Sequence, residues 1–236
     1  MKKLVHQIWI GDQPMNVRLS AYCDTVRNAF PDRQYKLWTD ADLPDLAKKA
    51  RLPGVVLNPD GIHSLGIRAD VIRLEILRQH GGVYLDCDYE ALRPDLEPLL
   101  DHGATFLYGD EKAGKPLNAL MSVNFAGHPF VEFYLQRITS QLKPSSDLWD
   151  AIRITGPERL SECLSFWVGN WSKSSSIAVN NRRVGTIFGE GSVSSLWNET
   201  ACPYGFASKE SYATFNPANY PSAWLAHHWE GGWRKE

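Results

Sequence analysis

The chain has 236 residues, of which 43% are hydrophobic and 22% charged, and a formal charge of −2. That length can bury a substantial core in one domain, and the composition argues against extensive disorder. The near-neutral balance argues against a dedicated nucleic-acid binder, which carries a basic surface to meet phosphates. Cys23, Cys87, Cys163 and Cys202 are scattered with no Cys-x-x-Cys pair. This speaks against a structural zinc site and for free thiols in a reduced, cytoplasmic setting.

Met1-Lys2-Lys3 begins like a signal peptide, but His6 and Gln7 interrupt the apolar run and Gly11-Asp12 ends it. A secretory core needs about 7–15 apolar residues and a membrane span about 20. Neither pattern occurs, so no transmembrane segment is expected and any membrane contact would be peripheral. Leu4 to Ile10 reads as a short buried strand that opens into a loop at Gly11. A helix follows over Val17 to Phe30, Pro31-Asp32 breaks it, and Tyr35 to Trp38 is a second strand. Strand and helix alternating this early predict an α/β fold with a mixed, mostly parallel sheet.

Ser64 to His80 carries the clearest helical pattern, with Ile67, Val71, Leu74 and Leu77 on one face, widened by Ile72 and Ile76. Ser64 suits its N-cap, and Gly81-Gly82 can take the left-handed conformation that ends it. Val83-Tyr84-Leu85 then predicts a strand that delivers Asp86-Cys87-Asp88 at its tip, where open α/β sheets bind ligands. Farther on, Ala104 to Tyr108 and Leu120 to Phe125 read as strands. Phe130 to Leu142 and Pro157 to Val168 read as helices, and Trp171 to Tyr220 shows no clean period.

Two chemical constellations stand out. Asp86 and Asp88, one residue apart at a strand end, can both lean toward one hard cation, which then keeps positions open for phosphate oxygens. Asp70 and Arg73, three apart, share a helix face, with Arg68 nearly a turn and a half before Arg73. Taken alone they could be a surface ion pair, worth little. Alternatively, Asp70 accepts hydrogen bonds from sugar hydroxyls while Arg73 orients it.

His6-Gln7-Ile8-Trp9-Ile10-Gly11, Leu37-Trp38-Thr39-Asp40, Arg68-Ala69-Asp70-Val71-Ile72-Arg73 and Gly81 through Asp88 occur in this order. Together they resemble the family-32 glycosyltransferases, the group with a sugar-binding region containing Asp-x-Asp. That group is distantly similar to the catalytic domains of the large clostridial glucosylating toxins. The resemblance is strongest from Leu4 to about Leu100. It implies a single GT-A, Rossmann-like domain, with residues 1–125 binding a nucleotide sugar and 126–236 forming an irregular acceptor side. It implies that Trp9 stacks on the donor's base with Ile10 beside it, a use of aromatic faces with clear physical sense. Asp70 and Arg73 would contact the donor sugar, Asp86 would lie near ribose and metal, and Asp88 would bind the metal directly. Asn124 falls where relatives place a polar residue near sugar and acceptor. Thr155-Gly156-Pro157 resembles the family's Thr-Gly-Pro before a helix, with Pro157 suited to a first turn.

His227-His228-Trp229-Glu230-Gly231-Gly232-Trp233 is similar to the family's ending. His228, three residues before Gly231, matches the late histidine that completes the metal site in related retaining enzymes, and His227 is the alternative. Trp233 would close over the donor, although Gly232 stands where the usual ending has Ser. Imidazole suits Mn²⁺ better than Mg²⁺. The resemblance therefore implies a manganese-dependent, retaining hexosyltransferase that uses a UDP-sugar, or else GDP-mannose. The acceptor would be a glycan, lipid-linked or protein hydroxyl, with a role in polysaccharide biosynthesis. Hydrolysis of the nucleotide sugar, or silent binding of it, are the competing readings.

Overall fold

The computed structural model describes residues 3–100, 106–110, 116–145, 147–171, 193–195, 200–201, 215–221 and 223–229. Strand β1 (Leu4–Ile8) leads through α1 (Val17–Asn28) to β2 (Gln34–Trp38), and the Asn16 side chain caps α1 by accepting from the Leu19 amide at 2.9 Å. Two short helices follow, α2 (Leu43–Ala47) and α3 (Pro53–Leu57), each with a proline in its first turn. The long helix α4 (Leu65–His80) starts at Ser64, whose side chain accepts from the Ile67 amide, as a serine N-cap does. After it come β3 (Gly82–Leu85), β4 (Tyr89–Ala91), β5 (Phe106–Asp110), β6 (Pro116–Val123) and α5 (Pro129–Thr139). The one-turn α6 (Leu148–Asp150) runs into a π-helical turn, Ala151–Thr155. The described chain ends with α7 (Pro157–Trp171) and the strands β7 (Val193–Ser195), β8 (Thr200–Ala201) and β9 (Leu225–His227).

The main sheet has the order β2-β1-β3-β6-β5-β7. β1 lies parallel to β2 and to β3, and β5 parallel to β7, while β6 runs antiparallel to both neighbours. This is the expected α/β architecture with a mixed sheet. A second, three-stranded sheet has the order β4-β9-β8. Strands from both stretches of the chain, before and after residue 125, pair in each sheet.

Side-chain alternation along the strands supplies two cores, one on each face. Tyr84, Phe106, Tyr108, Met121 and Val123 pack with Ile67, Val71 and Leu74 of α4, Phe130 and Tyr134 of α5, and Leu160 of α7. Val83, Leu85, Leu107 and Leu120 turn the other way and pack with Val26, Ala29 and Phe30. Helix α4 is thus clamped against the sheet with its apolar face fully buried, and it carries Asp70, Arg73 and Glu75 into the interior. No helix among the described residues is long and apolar enough to cross a membrane. Cys23, Cys87 and Cys163 are free and buried.

The turn from α4 to β3 explains the paired glycines. Gly81 and Gly82 have φ of 66° and 95°, a region that side chains disfavour. A Cβ on Gly82 would also stand 2.6 Å from the Leu4 carbonyl oxygen. The Gly81 carbonyl accepts from Nε2 of His6 at 2.9 Å, and Nδ1 of His6 accepts from the Trp38 indole at 3.1 Å. The motif His6-Gln7-Ile8-Trp9 therefore begins with a residue that stitches β1, β2 and the α4–β3 turn together.

This stitching has a pH signature. A histidine whose Nδ1 accepts a hydrogen bond cannot be protonated without losing it. His6 does this toward Trp38, and His128, the N-cap of α5, does it toward the Phe130 amide at 3.2 Å. Burial pushes both down to about 4 from the ordinary 6.5. The unfolded chain takes up these protons near 6.5 while the folded chain resists them until about 4. Stability is therefore fully present above 6.5 and is lost as pH falls from 6.5 to 4. Urea unfolding at pH 7 and pH 5 is expected to show a loss of about 2 kcal/mol from each histidine. In His128→Asn, which keeps an N-cap acceptor without a titrating ring, the pH-dependent loss shrinks by one such share.

Candidate active site

The site is assembled where the parallel strands β1 and β3 end together. Their register, Val5 with Val83 and His6 with Tyr84, brings Ile8-Trp9 beside Asp86-Cys87. Three contacts lock this edge. Gln7 Nε2 donates to the Asp86 carbonyl at 3.1 Å, the Cys87 thiol to the Ile8 carbonyl at 3.2 Å, and the Asp86 amide to the Ala119 carbonyl of β6 at 2.8 Å. The buried Cys87 is thus a structural residue. The Tyr89 amide donates to the Asp86 carbonyl at 3.2 Å, so the chain turns at Asp-Cys-Asp and both carboxylates lie on the turn.

β4 follows at once and pairs antiparallel with β9, placing Tyr89 opposite His227. The His227 ring stacks on Tyr89, with centroids 4.3 Å apart, and its Nε2 lies 3.4 Å from Oδ1 of Asp88. One ligand atom each from Asp86, Asp88 and His227 lies within 4.8 Å of the other two. Two carboxylates and an imidazole at this spacing fit a divalent transition-metal ion.

His228, the expected third ligand, goes elsewhere. His227 closes β9 and shares the face of its partner Tyr89, where Asp88 reaches it from the turn ahead of β4, while His228 is the next residue, past the strand end. The His228 ring stacks on Tyr22 with centroids 4.3 Å apart, and its Nε2 lies 2.8 Å from Oε2 of Glu90. Its backbone amide donates to the Asp88 carbonyl at 2.9 Å. The structure thus brings the alternative, His227, to the carboxylates.

Beneath the turn lies a buried network centred on Arg73. Its Nη2 is 3.0 Å from Oδ1 of Asp86, and its Nη1 is 3.3 Å from Oδ1 of Asp70. Nη1 also donates to the Asn118 carbonyl at 2.8 Å. Asp70 and Arg73 are only 7% and 6% exposed, which sets aside the reading of a solvated surface pair. The Tyr84 hydroxyl donates to Oδ1 of Asp86 at 2.5 Å. Burial raises the Asp86 carboxyl to about 6 against the opposing pull of the Arg73 guanidinium. Burial likewise raises Asp70, opposed by Arg73, Thr155 and Asn118.

Two of the residues that hold Asp70 were not among the expected site residues. Asn118 Nδ2 donates to Oδ1 of Asp70 at 2.7 Å, and the Thr155 hydroxyl to Oδ2 at 2.8 Å. Asn124, the asparagine expected near the sugar, is not brought to the site. β6 runs antiparallel to β3 with Val123 against Gly82 and Leu120 against Leu85. Asn124 therefore lies exposed at the α4–β3 end of the sheet, five residues and roughly 17 Å along the strand from Asp86. Asn118, on the same strand, emerges at the Asp86 end. The Thr-Gly-Pro run was a signal for Thr155, but its contact with Asp70 depends on how the chain folds back.

Trp9 stands half-buried just past β1. Its amide donates to the Trp38 carbonyl and its indole to the Gln13 carbonyl, both at 2.8 Å. Ile10 packs against the core beneath it. The Gly11 amide donates to Oδ2 of Asp40 at 2.7 Å, and Arg68 Nη2 approaches the other Asp40 oxygen at 3.4 Å. The loop after β1 is thereby pinned at the same sheet edge as the acidic turn. Trp233 lies outside the described residues.

Residues 16–105 match the family described as "Glycosyltransferase sugar-binding region containing DXD motif". The chain is 32% identical over 130 residues to "Inositol phosphoceramide mannosyltransferase 3" of Schizosaccharomyces pombe, a match covering 55% of this chain and 35% of that protein. The matched region thus spans about a third of that relative's length. Among solved structures, "PaToxG Glycosyltransferase" superposes with a TM-score of 0.52 at 16% identity, covering 73% of this chain and 72% of the other. The UDP-bound glycosyltransferase domain from the YGT toxin gives a TM-score of 0.47 at 10% identity, over 73% and 78% of the two chains. The fold is that of the GT-A glycosyltransferase domains.

Proposed function

We propose that this chain is a divalent-metal-dependent glycosyltransferase that moves a hexose from a nucleotide-diphosphate sugar to a hydroxyl acceptor. The observation that carries the reading is the convergence of Asp86, Asp88 and His227 at the carboxyl edge of the sheet, directly above the buried Asp70–Arg73 pair. The family match over residues 16–105 supports it independently.

Asp86, Asp88 and His227 would hold the cation, and their mixed oxygen and nitrogen chemistry favours Mn²⁺, with Mg²⁺ the weaker fit. A bound cation there supplies charge stabilisation to the departing diphosphate, on the order of several kcal/mol. The chain's own residues do the remainder. Trp9, at the end of β1, offers an aromatic face to the base. Asp70 accepts hydrogen bonds from sugar hydroxyls, held by Arg73 and Asn118 on one oxygen and by Thr155 on the other. Arg73 also fixes Asp86, so the sugar-binding and diphosphate-binding carboxylates are set relative to each other by one guanidinium. Positioning of this kind itself lowers the barrier. No side chain at the site is required as nucleophile, which accords with front-face transfer and retention of anomeric configuration.

The donors to compare are the UDP-hexoses and GDP-mannose. The toxin resemblance favours the first, and the mannosyltransferase relative supports the second. The acceptor hydroxyl is that of a glycan, a lipid-linked sugar or inositol, or a protein. The test is a screen of UDP-glucose, UDP-galactose and GDP-mannose with Mn²⁺, Mg²⁺ or EDTA, following release of UDP or GDP. Release from one donor, present with metal and lost in EDTA, is expected. Release from none, or release indifferent to EDTA, overturns the proposal.

A further inference from the structure

We infer that Thr155 is a positioning residue for Asp70, so that the π-helical turn ahead of α7 sets the aim of that carboxylate at the donor sugar. The inference rests on the transferase reading above and assigns a role to a part of the chain that makes no direct claim on metal or nucleotide.

The Thr155 hydroxyl has one hydrogen and two acceptors in reach, Oδ2 of Asp70 at 2.8 Å and the Ala151 carbonyl at 3.0 Å. The Ala151 carbonyl already accepts from the Gly156 amide at 2.7 Å, whereas a carboxylate is the stronger partner for a hydroxyl. The hydrogen therefore goes to Asp70. The backbone that carries the hydroxyl is itself held in place. Tyr134, fully buried on α5, lies with its hydroxyl 2.8 Å from the Thr155 carbonyl oxygen and 2.9 Å from that of Gly156. At Gly156 a Cβ would stand 2.8 Å from the Ala151 carbonyl oxygen and 3.2 Å from Oδ2 of Asp70. Backbone thus approaches the carboxylate as closely as a residue without a side chain allows. π-helical turns are rare and often mark functional sites, and this one delivers a hydroxyl to a carboxylate 85 positions earlier in the chain.

Held by Thr155 on Oδ2 and by Asn118 and Arg73 on Oδ1, the Asp70 carboxylate cannot rotate about its last bond. Its remaining lone pairs then point in fixed directions. Without the Thr155 hydroxyl, Oδ2 is released while Oδ1 stays anchored. The plane of the carboxylate tilts at the sugar, and the β1–β3 edge where base and diphosphate would bind is untouched.

Steady-state turnover of UDP-glucose or GDP-mannose with Mn²⁺ in Thr155→Val and Thr155→Ser tests this. Thr155→Val, of nearly the same shape, is expected to lose about 10- to 100-fold in kcat. The melting-temperature gain produced by the matching nucleotide diphosphate with Mn²⁺ stays at the wild-type value. Thr155→Ser, which keeps the hydroxyl, stays within a few-fold of wild type in kcat. Wild-type kcat in Thr155→Val, equal impairment of both variants, or loss of the nucleotide-linked shift in Thr155→Val would each overturn the inference. A wild-type protein that releases nucleotide from neither donor sinks the transferase reading, and the catalytic consequence with it. The latch is read separately from melting temperatures of Thr155→Val, Asp70→Asn and the double variant. Losses that are less than additive support the latch, and strictly additive losses refute it.

Discussion

Asp88→Ala and His227→Ala are each expected to abolish the Mn²⁺-dependent gain in melting temperature with nucleotide diphosphate and to lower turnover by on the order of 10³-fold, whereas His228→Ala is expected to keep the gain. The first two remove a donor atom from a cluster whose ligand atoms lie within 4.8 Å of one another. A cation that contributes several kcal/mol to the departing charge is worth about that factor in rate. A ligand that binds only the folded chain raises its melting temperature, so the shift reports the metal site whatever the acceptor. His228→Ala forfeits the contact with Glu90 and the stack on Tyr22, a stability loss of about 1–3 kcal/mol, but no donor atom. The decisive comparison is between the two adjacent histidines. Equal loss of the shift in both variants, or retention in His227→Ala, refutes the assignment.

Arg73→Met is the most destabilising single change expected at the site. It leaves the buried Asp70 and the half-buried Asp86 without the guanidinium that lies 3.3 Å and 3.0 Å from them. Breaking a buried pair by removing one partner costs about 3–5 kcal/mol, which for a chain of this size lowers the melting temperature by on the order of 10 °C. The loss depends on pH. Burial already raises both carboxyls above the ordinary carboxylate value while Arg73 pulls them down, so the variant raises them further. A carboxyl whose folded pKa lies above its unfolded value gives stability below the unfolded value and loses it as pH rises through the folded one. The deficit is therefore larger at pH 8 than at pH 5. Arg73→Lys recovers only part of it, because one ammonium cannot reach Asp70, Asp86 and the Asn118 carbonyl together. A melting temperature within 2 °C of wild type for Arg73→Met, a bound of roughly 1 kcal/mol at this size, would show that the network carries little.

Much of the first hundred residues was legible from local pattern alone. The period of Ile67, Val71, Leu74 and Leu77, the serine before them and the two glycines after them predict α4 and its turn, and the structure has both. The short apolar runs at Leu4 and Val83 emerge as neighbouring parallel strands, which is why Trp9 and Asp86 share an edge. What pattern did not reveal was register between distant segments. Asn124 and Asn118 lie on or beside one strand with no local signal to separate them, and only the antiparallel pairing with β3 decides which reaches Asp70. His227 ends β9 and His228 is the next residue, and only the folded contacts of each ring, with Asp88 for the first and Glu90 for the second, tell them apart. Thr155 sits in a recognisable run, but its partner lies 85 residues back. In each case the missing information was a long-range contact.

The pairing of β4 with β9 brings Asp88 and His227 together although they stand about 140 residues apart in the chain, a separation whose closure carries a large entropic cost. A cation shared by the two would act as a reversible cross-link, fastening the end of the fold to its middle and doing for this chain what a disulfide does for a secreted one. Loading the enzyme for catalysis and securing its C-terminal strand would then be one event, and chelation would loosen β9 as it silences the reaction.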